Sequence, residues 1–426
     1  MNNQTNHNLT EIITQRALLV GLDIGEEDFE ISLSELRELT ETAGGEVVGV
    51  MTQKRPTPEK ATYIGSGRLE EIKEFCEAND VDIIIFDAEL SPTQLRNIED
   101  ETAVHTIDRT MLILDIFAKR AKTSEGKMQV ELAQMRYMLP RLTGKGIELS
   151  RLGGGIGTRG PGETKLETDR RHIRRRIDQL SEKMAEVEER RERTRAHRRK
   201  TGVVTAAIVG YTNAGKSTLL NYLTGAGVLA ENKLFATLDP TARALNYNKN
   251  KNLPSGAEVL LVDTVGFIRQ LPHHLIKAFR STLGEAKEAD MILLVLDSSD
   301  PSVRSQKEVT QNLLEELGAG DKPAVTILNK SDIADPADLF DIAGVRISAI
   351  TGQGIDDLLA AIDEANPRKM TRLEITLPFD KVPLAAEIRV SGEVLEEEYT
   401  ENGLKLTALC DPAVAGRVKK QLAIEN

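Results

Sequence analysis

A glycine-rich loop between an apolar run and a predicted helix carries the clearest chemistry in this sequence. Residues 203–209 are apolar enough for a buried strand, and a helical pattern begins at Thr218. A loop in this place wraps nucleotide phosphates with its backbone N–H groups, and the helix N-terminus adds its dipole. We therefore assign the following residues to a nucleotide site: Gly210, Tyr211, Thr212, Asn213, Ala214, Gly215, Lys216, Ser217 and Thr218.

Two side chains of this loop have specific predicted roles. Lys216 places a positive charge between the β- and γ-phosphates, and the Ser217 hydroxyl is a Mg²⁺ ligand. Downstream, Asp263 follows a predicted strand at residues 258–262, where a carboxylate can hold the same Mg²⁺ through water. The N–H of Gly266 can bond a γ-phosphate. Together these residues predict a Mg²⁺-dependent nucleoside triphosphate site, while the loop alone leaves open a chance match on a glycine turn.

The motifs that would contact the base predict guanine. Asn329-Lys330-Ser331-Asp332 follows a predicted strand at residues 324–328, and Ser348-Ala349 follows another at residues 346–347. The Asp332 carboxylate can accept hydrogen bonds from guanine N1–H and from the exocyclic amine, a pair that adenine does not offer. The phosphate loop, metal aspartate, Asn-Lys-x-Asp and Ser-Ala motifs occur in the order that a GTPase requires. We therefore expect GTP and GDP as ligands rather than ATP.

The composition indicates a soluble, multidomain protein. The chain has 426 residues, of which 40% are hydrophobic and 29% charged, and this length predicts about two to four domains. No apolar run approaches the ~18 residues that span a bilayer, and residues 1–10 contain no secretory signal. Only Cys76 and Cys410 occur, outside any metal-ligand spacing. We therefore exclude a disulfide scaffold and a structural zinc site, and we expect a cytoplasmic protein. We also expect a monomer.

The net charge of −12 conceals one strongly basic segment. Residues 109–200 contain 24 Lys and Arg against 13 Asp and Glu, whereas the rest of the chain contains 31 against 54. This asymmetry predicts a localised site for a polyanion. A solvated helix with many internal ion pairs is the alternative.

The elements around these motifs predict an α/β multidomain protein. Residues 15–108 alternate strands and helices, which predicts a small parallel α/β sheet. The expected strands are 16–22, 46–51, 82–86 and 104–107, and the expected helices are 32–43, 69–78 and 92–101. Residues 372–426 predict a small α+β domain with strands at 372–377, 387–394 and 404–409 and a helix at 412–422.

The basic segment predicts two long helices. Apolar residues spaced by three or four form one stripe over residues 109–141, and a second helix runs from about residue 165 to residue 200. Its stripe has the spacing of a coiled-coil seam, formed by Ile173, Ile177, Leu180, Met184 and Val187. We therefore expect an antiparallel helix hairpin.

A glycine-rich connection at residues 141–164 joins these helices. Eight of its 24 residues are glycine, and it also carries spaced cations that include Arg141. Such a tip could approach a phosphate-rich partner closely, although a surface linker is the alternative. A dinucleotide-type pattern at residues 155–160 has no preceding strand, so we reject it. The contact candidates are Arg151, Gly153, Gly154, Gly155 and Arg159 in the tip, with Arg170, Arg171, Arg174 and Arg175 on the second helix.

With these motifs in place, the chain resembles the HflX family of ribosome-associated GTPases, and residues 203–365 resemble a Ras-like G domain of the TRAFAC class. The patterns above divide the chain into four expected parts: an N-terminal domain (1–108), a basic hairpin (109–200), a G domain (201–367) and a C-terminal domain (368–426). The resemblance implies GTP hydrolysis, binding to the 50S ribosomal subunit and its rRNA, and splitting or rescue of stalled or idle ribosomes. The tracts that carry it are 63–67, 159–167, 210–220, 235–241 and 263–268.

The resemblance also assigns individual residues. Thr237 matches the threonine that binds Mg²⁺ in the GTP state, with Thr241 as a nearby competitor, and Asn213 matches an asparagine that helps to bind K⁺. Phe267 occupies the position where Ras-type proteins carry a water-orienting glutamine. Because a phenyl ring cannot orient water, we expect slow, partner-stimulated hydrolysis, and the catalytic group stays unassigned.

Two other functions stay open at this point. An ATP-dependent rRNA remodeller would need a second nucleotide site in the N-terminal domain, for which Gly65-Ser66-Gly67 before a predicted helix is the only local support. A plain turn explains that triplet as well. A GTP-binding scaffold with negligible turnover would fit Phe267.

Overall fold

The computed structural model describes residues 14–26, 28–142, 161–201, 203–225, 234–235, 241–245, 259–269, 272, 275, 280–335, 341–367, 371–410 and 412–423. The chain divides into two compact units. The first contains residues 1–187, 232–238 and 269–279, and the second contains residues 188–231, 239–268 and 280–426. Within the described ranges, no helix combines the length and the apolar character that a bilayer crossing requires.

The first unit begins with a parallel sheet covered by helices. Its elements are β1 (Arg16–Asp23), α1 (Phe29–Ala43), β2 (Glu46–Lys54), α2 (Ser66–Ala78), β3 (Ile83–Phe86), α3 (Pro92–Thr102) and β4 (His105–Asp108). The strands run parallel in the order β2-β1-β3-β4. β3 is buried along its whole length, as expected for an inner strand with both faces covered. The predicted parallel α/β sheet is confirmed.

The next segment is two helices, α4 (Arg109–Arg120) and α5 (Ser124–Arg141). The prediction of one long helix over residues 109–141 is therefore wrong at residues 121–123. The Thr123 side chain accepts a hydrogen bond of 2.9 Å from the Gly126 amide, which is an N-cap that starts a new helix. The apolar spacing continues across this break, because Phe117 and Leu132 are buried on either side of it.

The basic helix α6 (Pro161–Thr201) has 41 residues. Of the predicted seam, only Leu180 is buried, at 1% exposure, while the other four residues are half-buried. Two contacts with α5 are polar: Arg176 pairs with Glu131 at 2.7 and 2.8 Å, and Arg136 donates to the Ser181 hydroxyl at 3.2 Å. The predicted seam is therefore fully buried only at Leu180.

A buried group of charges lies in the first unit. Arg109 is 2% exposed and pairs with Glu35 and, at 2.7 Å, with Asp87. Its guanidinium also donates to the carbonyl oxygen of Arg269 at 3.3 Å, and the Arg269 side chain pairs with Asp28. Although burial alone lowers the pKa of Arg109, the charges of Glu35 and Asp87 raise it above its usual value.

The second unit contains a six-stranded sheet with the connectivity of a G domain. Its elements are β5 (Val204–Gly210), α7 (Lys216–Thr224), β6 (Thr241–Ala244), β7 (Val259–Asp263), α8 (Arg280–Glu288), β8 (Met291–Asp297), α9 (Val303–Glu316), β9 (Ala324–Asn329), β10 (Val345–Arg346) and α10 (Ile355–Ala365). The order is β10-β9-β8-β5-β7-β6, with only the edge strand β6 antiparallel. The carboxyl ends of its parallel strands carry the nucleotide motifs, as in other open α/β sheets.

The chain continues into an antiparallel three-stranded sheet. Its elements are β11 (Thr371–Leu377), α11 (Leu384–Ser391), β12 (Gly392–Thr400), β13 (Gly403–Cys410) and α12 (Pro412–Ala423), with the order β11-β13-β12. The prediction of a strand at residues 387–394 is wrong for residues 387–391, which are helical. Ala385 and Ile388, three residues apart, are both fully buried, whereas Val390 is 89% exposed. This is a helical rather than an alternating pattern.

Both cysteines are buried, Cys76 on α2 and Cys410 at the end of β13. The division into four domains at residues 108, 200 and 367 stays a prediction.

The buried charge group generates a stability prediction. Replacing Arg109 with Ala would leave Glu35 and Asp87 buried without their cation, which costs about 3–5 kcal/mol in comparable pairs. We expect a clear fall in the melting temperature by calorimetry. Arg96→Ala removes a half-exposed partner of Asp100 and should cost under about 1 kcal/mol. Equal losses in the two variants would contradict this account.

Candidate nucleotide site

The loop between β5 and α7 turns through residues with positive φ. Asn213 and Gly215 have φ values of 63° and 91°, a region that Gly enters freely and Asn tolerates. A Cβ on Gly215 would lie 2.2 Å from Asn329 Nδ2, so no side chain fits there. Asn213 is exposed, whereas Thr212 and Ala214 on either side are buried.

Lys216 is a buried cation at the start of α7. Its side chain is 7% exposed, and Nζ donates to the carbonyl oxygen of Tyr211 at 2.6 Å. Burial lowers the pKa of Lys216 to about 8, and the negative charge of Asp263 partly opposes that shift. Phosphate oxygens would stabilise the charged form in the same way. The arrangement therefore suits a ligand with several negatively charged phosphate oxygens.

Ser217 and Asp263 meet at the ends of their elements. The Ser217 hydroxyl donates to Asp263 Oδ2 at 2.9 Å. Two oxygen donors of this kind fit Mg²⁺, which takes oxygen ligands and shares its shell with substrate phosphates. Thr237 lies outside the described residues. Thr241 opens the edge strand β6, where it pairs with Asp263 across the ladder.

The segment after Asp263 is bonded to the phosphate loop. The Thr212 amide donates to the Phe267 carbonyl oxygen at 2.8 Å, and the Phe267 amide donates to the Gly210 carbonyl oxygen at 3.1 Å. The Phe267 ring is 1% exposed. This ring is therefore part of the core, and it presents no polar group to a nucleotide.

The base motifs are joined to the phosphate loop by Asn329. Its Nδ2 donates to the Ala214 carbonyl oxygen at 2.8 Å, and its Oδ1 accepts from the Ala349 amide at 2.9 Å. Lys330 pairs with Asp297 at 2.6 Å, and Asp332 is exposed. The structure thus brings the predicted phosphate and base motifs together, with Asp297 as a further member. A strand-ending aspartate is the signal that could have found it.

The chain is similar to known GTPases over most of its length. Three family descriptions match: "GTP-binding GTPase N-terminal" at residues 30–118, "GTP-binding GTPase Middle Region" at 120–198 and "50S ribosome-binding GTPase" at 205–330. The GTPase HflX of Caldanaerobacter subterraneus subsp. tengcongensis is 50% identical over 394 residues, which cover 92% of this chain and 90% of the relative. The chain belongs to the HflX family of GTPases.

A second HflX protein and one solved structure are also similar to this chain. The GTPase HflX of Escherichia coli strain K12 is 42% identical, with 91% of each chain covered. A crystal structure of a GTP-binding protein from Sulfolobus solfataricus in complex with GDP is 26% identical, covers 83% of this chain and 98% of that chain, and gives a TM-score of 0.43. The family resemblance predicted from the motifs is confirmed, and the protein is a GTP-hydrolysing enzyme.

Within this HflX-family chain, the predicted rRNA contacts divide into three groups. Arg171, Arg174 and Arg175 are exposed on α6, and Arg170 is half-buried. The tip residues Arg151, Gly153, Gly154, Gly155 and Arg159 lie outside the described residues.

Arg141, which the sequence groups with the tip cations, is engaged inside the first unit. It donates to the Leu90 carbonyl oxygen at 2.8 Å and to Asp108 at 3.3 Å, and its guanidinium lies 3.4 Å from the centre of the Tyr137 ring. Its inclusion among the tip cations is therefore corrected.

The Gly65-Ser66-Gly67 turn borders a cleft of about 920 Å³ that also contains Lys54, Arg55 and Arg68. The Gly65 amide at the start of α2 is already bonded to Gln53 Oε1 at 2.8 Å. Arg55 pairs with Glu59, and Arg68 pairs with Glu71. A phosphate group would have to compete with all three contacts, so a plain turn remains the better interpretation.

Sequence reasoning missed the structural roles of two residues, Phe235 at the start of the tract 235–241 and Arg269 directly after the tract 263–268. Phe235 is 2% exposed and packs edge-to-face on Phe117, with ring centres 4.7 Å apart. Arg269 joins the buried charges around Arg109, as described above. Both belong to the first unit. The sequence gives no sign of these contacts, because the partners of each residue are distant in sequence.

The loop that carries Ala349 and Gly352, called the base loop here, generates a prediction about Gly352. Gly352 has φ of 84°, and a Cβ there would lie 2.2 Å from the Tyr222 hydroxyl of α7. Gly352→Ala should displace the loop that carries Ala349 and weaken GDP binding about tenfold, measured with fluorescently labelled GDP. Adding Tyr222→Ala should recover only part of this loss, because the φ strain remains. Gly416→Ala, where a Cβ meets nothing within 4 Å, should leave GDP binding unchanged; an equal loss there would refute the explanation.

Proposed function

We propose that this HflX-family GTPase binds the 50S ribosomal subunit through its rRNA and uses GTP binding and hydrolysis as a switch that splits or rescues stalled or idle ribosomes. The match of residues 205–330 to the description "50S ribosome-binding GTPase" carries the ribosome part. The exposed arginines of α6 support it, because spaced cations on one helix suit RNA phosphates. We also propose that it acts as a monomer in the cytoplasm.

In this proposal, each motif of the second unit has one role. Lys216 and the loop amides hold the phosphates, and Asp332 with the Asn329-linked loop reads guanine. Mg²⁺, when bound, neutralises charge on the β- and γ-phosphates; Ser217, Asp263 and Thr237 would hold it. Gly266 offers its amide to the γ-phosphate. Because the Phe267 ring is buried and apolar, the free protein hydrolyses GTP slowly and the ribosome accelerates it.

The decisive experiment is pelleting with purified 50S subunits. We expect co-sedimentation with a non-hydrolysable GTP analogue and much weaker co-sedimentation with GDP. A gradient with intact 70S ribosomes should then show subunits released in a GTP-dependent manner. Equal binding in both nucleotide states would contradict the proposed switch. The absence of any binding would contradict the proposed interaction with the ribosome.

The arginines of α6 can be tested in the same assay. Replacing Arg170, Arg171, Arg174 and Arg175 with Gln should weaken 50S binding and reduce the salt slope by up to about one per lost phosphate contact. GDP affinity should not change. The control replaces four exposed arginines outside α6, namely Arg304, Arg372, Arg389 and Arg417. If both sets weaken binding equally, α6 is not the RNA-binding element.

The potassium role of Asn213 is tested separately. Its exposed side chain on the phosphate loop suits a monovalent cation beside the phosphates, so we expect faster GTP hydrolysis in K⁺ than in Na⁺. Asn213→Ala should erase that difference. Asn213→Gly, which accepts a φ of 63° without strain, should do the same if the amide is what matters. Persistence of the K⁺ effect in the glycine variant would exclude Asn213 as a ligand.

A further inference from the structure

The turn that carries Asp332 begins at a residue with an unfavourable backbone conformation. Lys330 has a φ of 62°, a left-handed value that is costly for a residue with a Cβ. The Lys330 carbonyl oxygen accepts from the Ile333 amide at 3.1 Å, which closes a turn that contains Asp332. The position of the Asp332 carboxylate therefore depends on the conformation of Lys330.

The end of β8 holds this turn in place. Asp297, the last residue of β8, pairs with Lys330 Nζ at 2.6 Å. Its other carboxylate oxygen accepts from the amide and the hydroxyl of Ser299, at 3.0 and 2.6 Å. The Ser298 amide donates to the Asn329 carbonyl oxygen at 2.9 Å. The carboxylate is therefore fixed through one oxygen and holds the lysine ammonium with the other.

Two aspartates of the base site differ in their exposure. The ion pair is shielded from solvent, with side-chain exposures of 12% for Asp297 and 23% for Lys330, and such a pair is screened less than an exposed one. Asp332, in contrast, is exposed, so its carboxylate is accessible to a base. One carboxylate thus holds the lysine, while the other is left for the ligand.

We propose that Asp297 is a positioning residue for guanine recognition. By holding the Lys330 ammonium, it keeps Lys330 in the left-handed conformation and so keeps Asp332 in line with the exocyclic amine of the base. This inference rests on the base-reading role of Asp332 proposed above. It adds that the preference for guanine is set one strand away from the base motif, by a carboxylate that acts through the lysine.

The test compares the affinities for GDP and for inosine diphosphate (IDP), which lacks the exocyclic amine. Both are measured by displacement of labelled GDP from the full chain. Asp297→Asn keeps an oxygen for Ser299 but removes the charge that holds the ammonium. We expect it to lower the preference for GDP over IDP roughly three- to tenfold, the effect of one lost hydrogen bond. General damage to the fold would lower both affinities equally and leave the preference unchanged.

Lys330→Gly tests the route through the lysine. Glycine accepts a φ of 62° without strain, so the turn no longer needs the ion pair. In the Lys330→Gly background, Asp297→Asn should therefore leave the preference for GDP over IDP unchanged. A further fall of the preference in the double variant would overturn the route through Lys330.

Asp290 supplies a matched control at the opposite end of β8. It directly precedes that strand, and its carboxylate accepts from the Thr205 amide and hydroxyl at 2.8 and 2.9 Å. Asp290→Asn should leave the preference unchanged. A wild-type preference in Asp297→Asn, or an equal fall in Asp290→Asn, would overturn the positioning role alone. Asp332→Ala should abolish the preference; its retention there would contradict the base-reading role, and this proposal with it.

Discussion

One buried amide holds the two halves of the nucleotide site together. Asn329 is 2% exposed, and its planar side chain donates to the phosphate loop at Ala214 while it accepts from the base loop at Ala349. The phosphate-binding and base-binding segments are therefore fixed at the distance that one amide group spans. Gly215 is glycine for the same reason, since a Cβ there would enter the space of Nδ2. An aspartate of the same shape would accept at both ends and lose the contact with Ala214.

Much of this arrangement was predictable because its causes are local. The phosphate loop is a contiguous pattern, and parallel strands bring Asp263 and Asn329 to the same edge of the sheet. The alternation of apolar runs and helical stretches was sufficient to predict the parallel sheet of the first unit. Most predicted ends of helices and strands differ from the observed ends by one or a few residues. Capping residues rather than apolar spacing set where helices end.

The remaining features depend on contacts that the sequence does not display. The break between α4 and α5 depends on one capping side chain at Thr123, inside an apolar stripe that continues regardless. The edge strand β6 was missed because it is four residues long and only half-buried or exposed. Arg141 contacts Asp108, which lies 33 positions away in the sequence. Arg269 contacts Arg109, which lies 160 positions away. No local pattern distinguishes such a cation from a solvated one.

The burial of both cysteines makes the chain a ready background for site-specific chemistry. Only two cysteines occur in the sequence, and burial raises the pKa of the Cys76 thiol to about 11. At neutral pH it is almost entirely protonated, and the thiolate is the form that reacts with alkylating probes. Cys410 is fully enclosed by the sheet and helices of the C-terminal segment. A cysteine introduced at an exposed position of α6 would therefore react selectively, and a spectroscopic label could report from that helix without removal of a native residue.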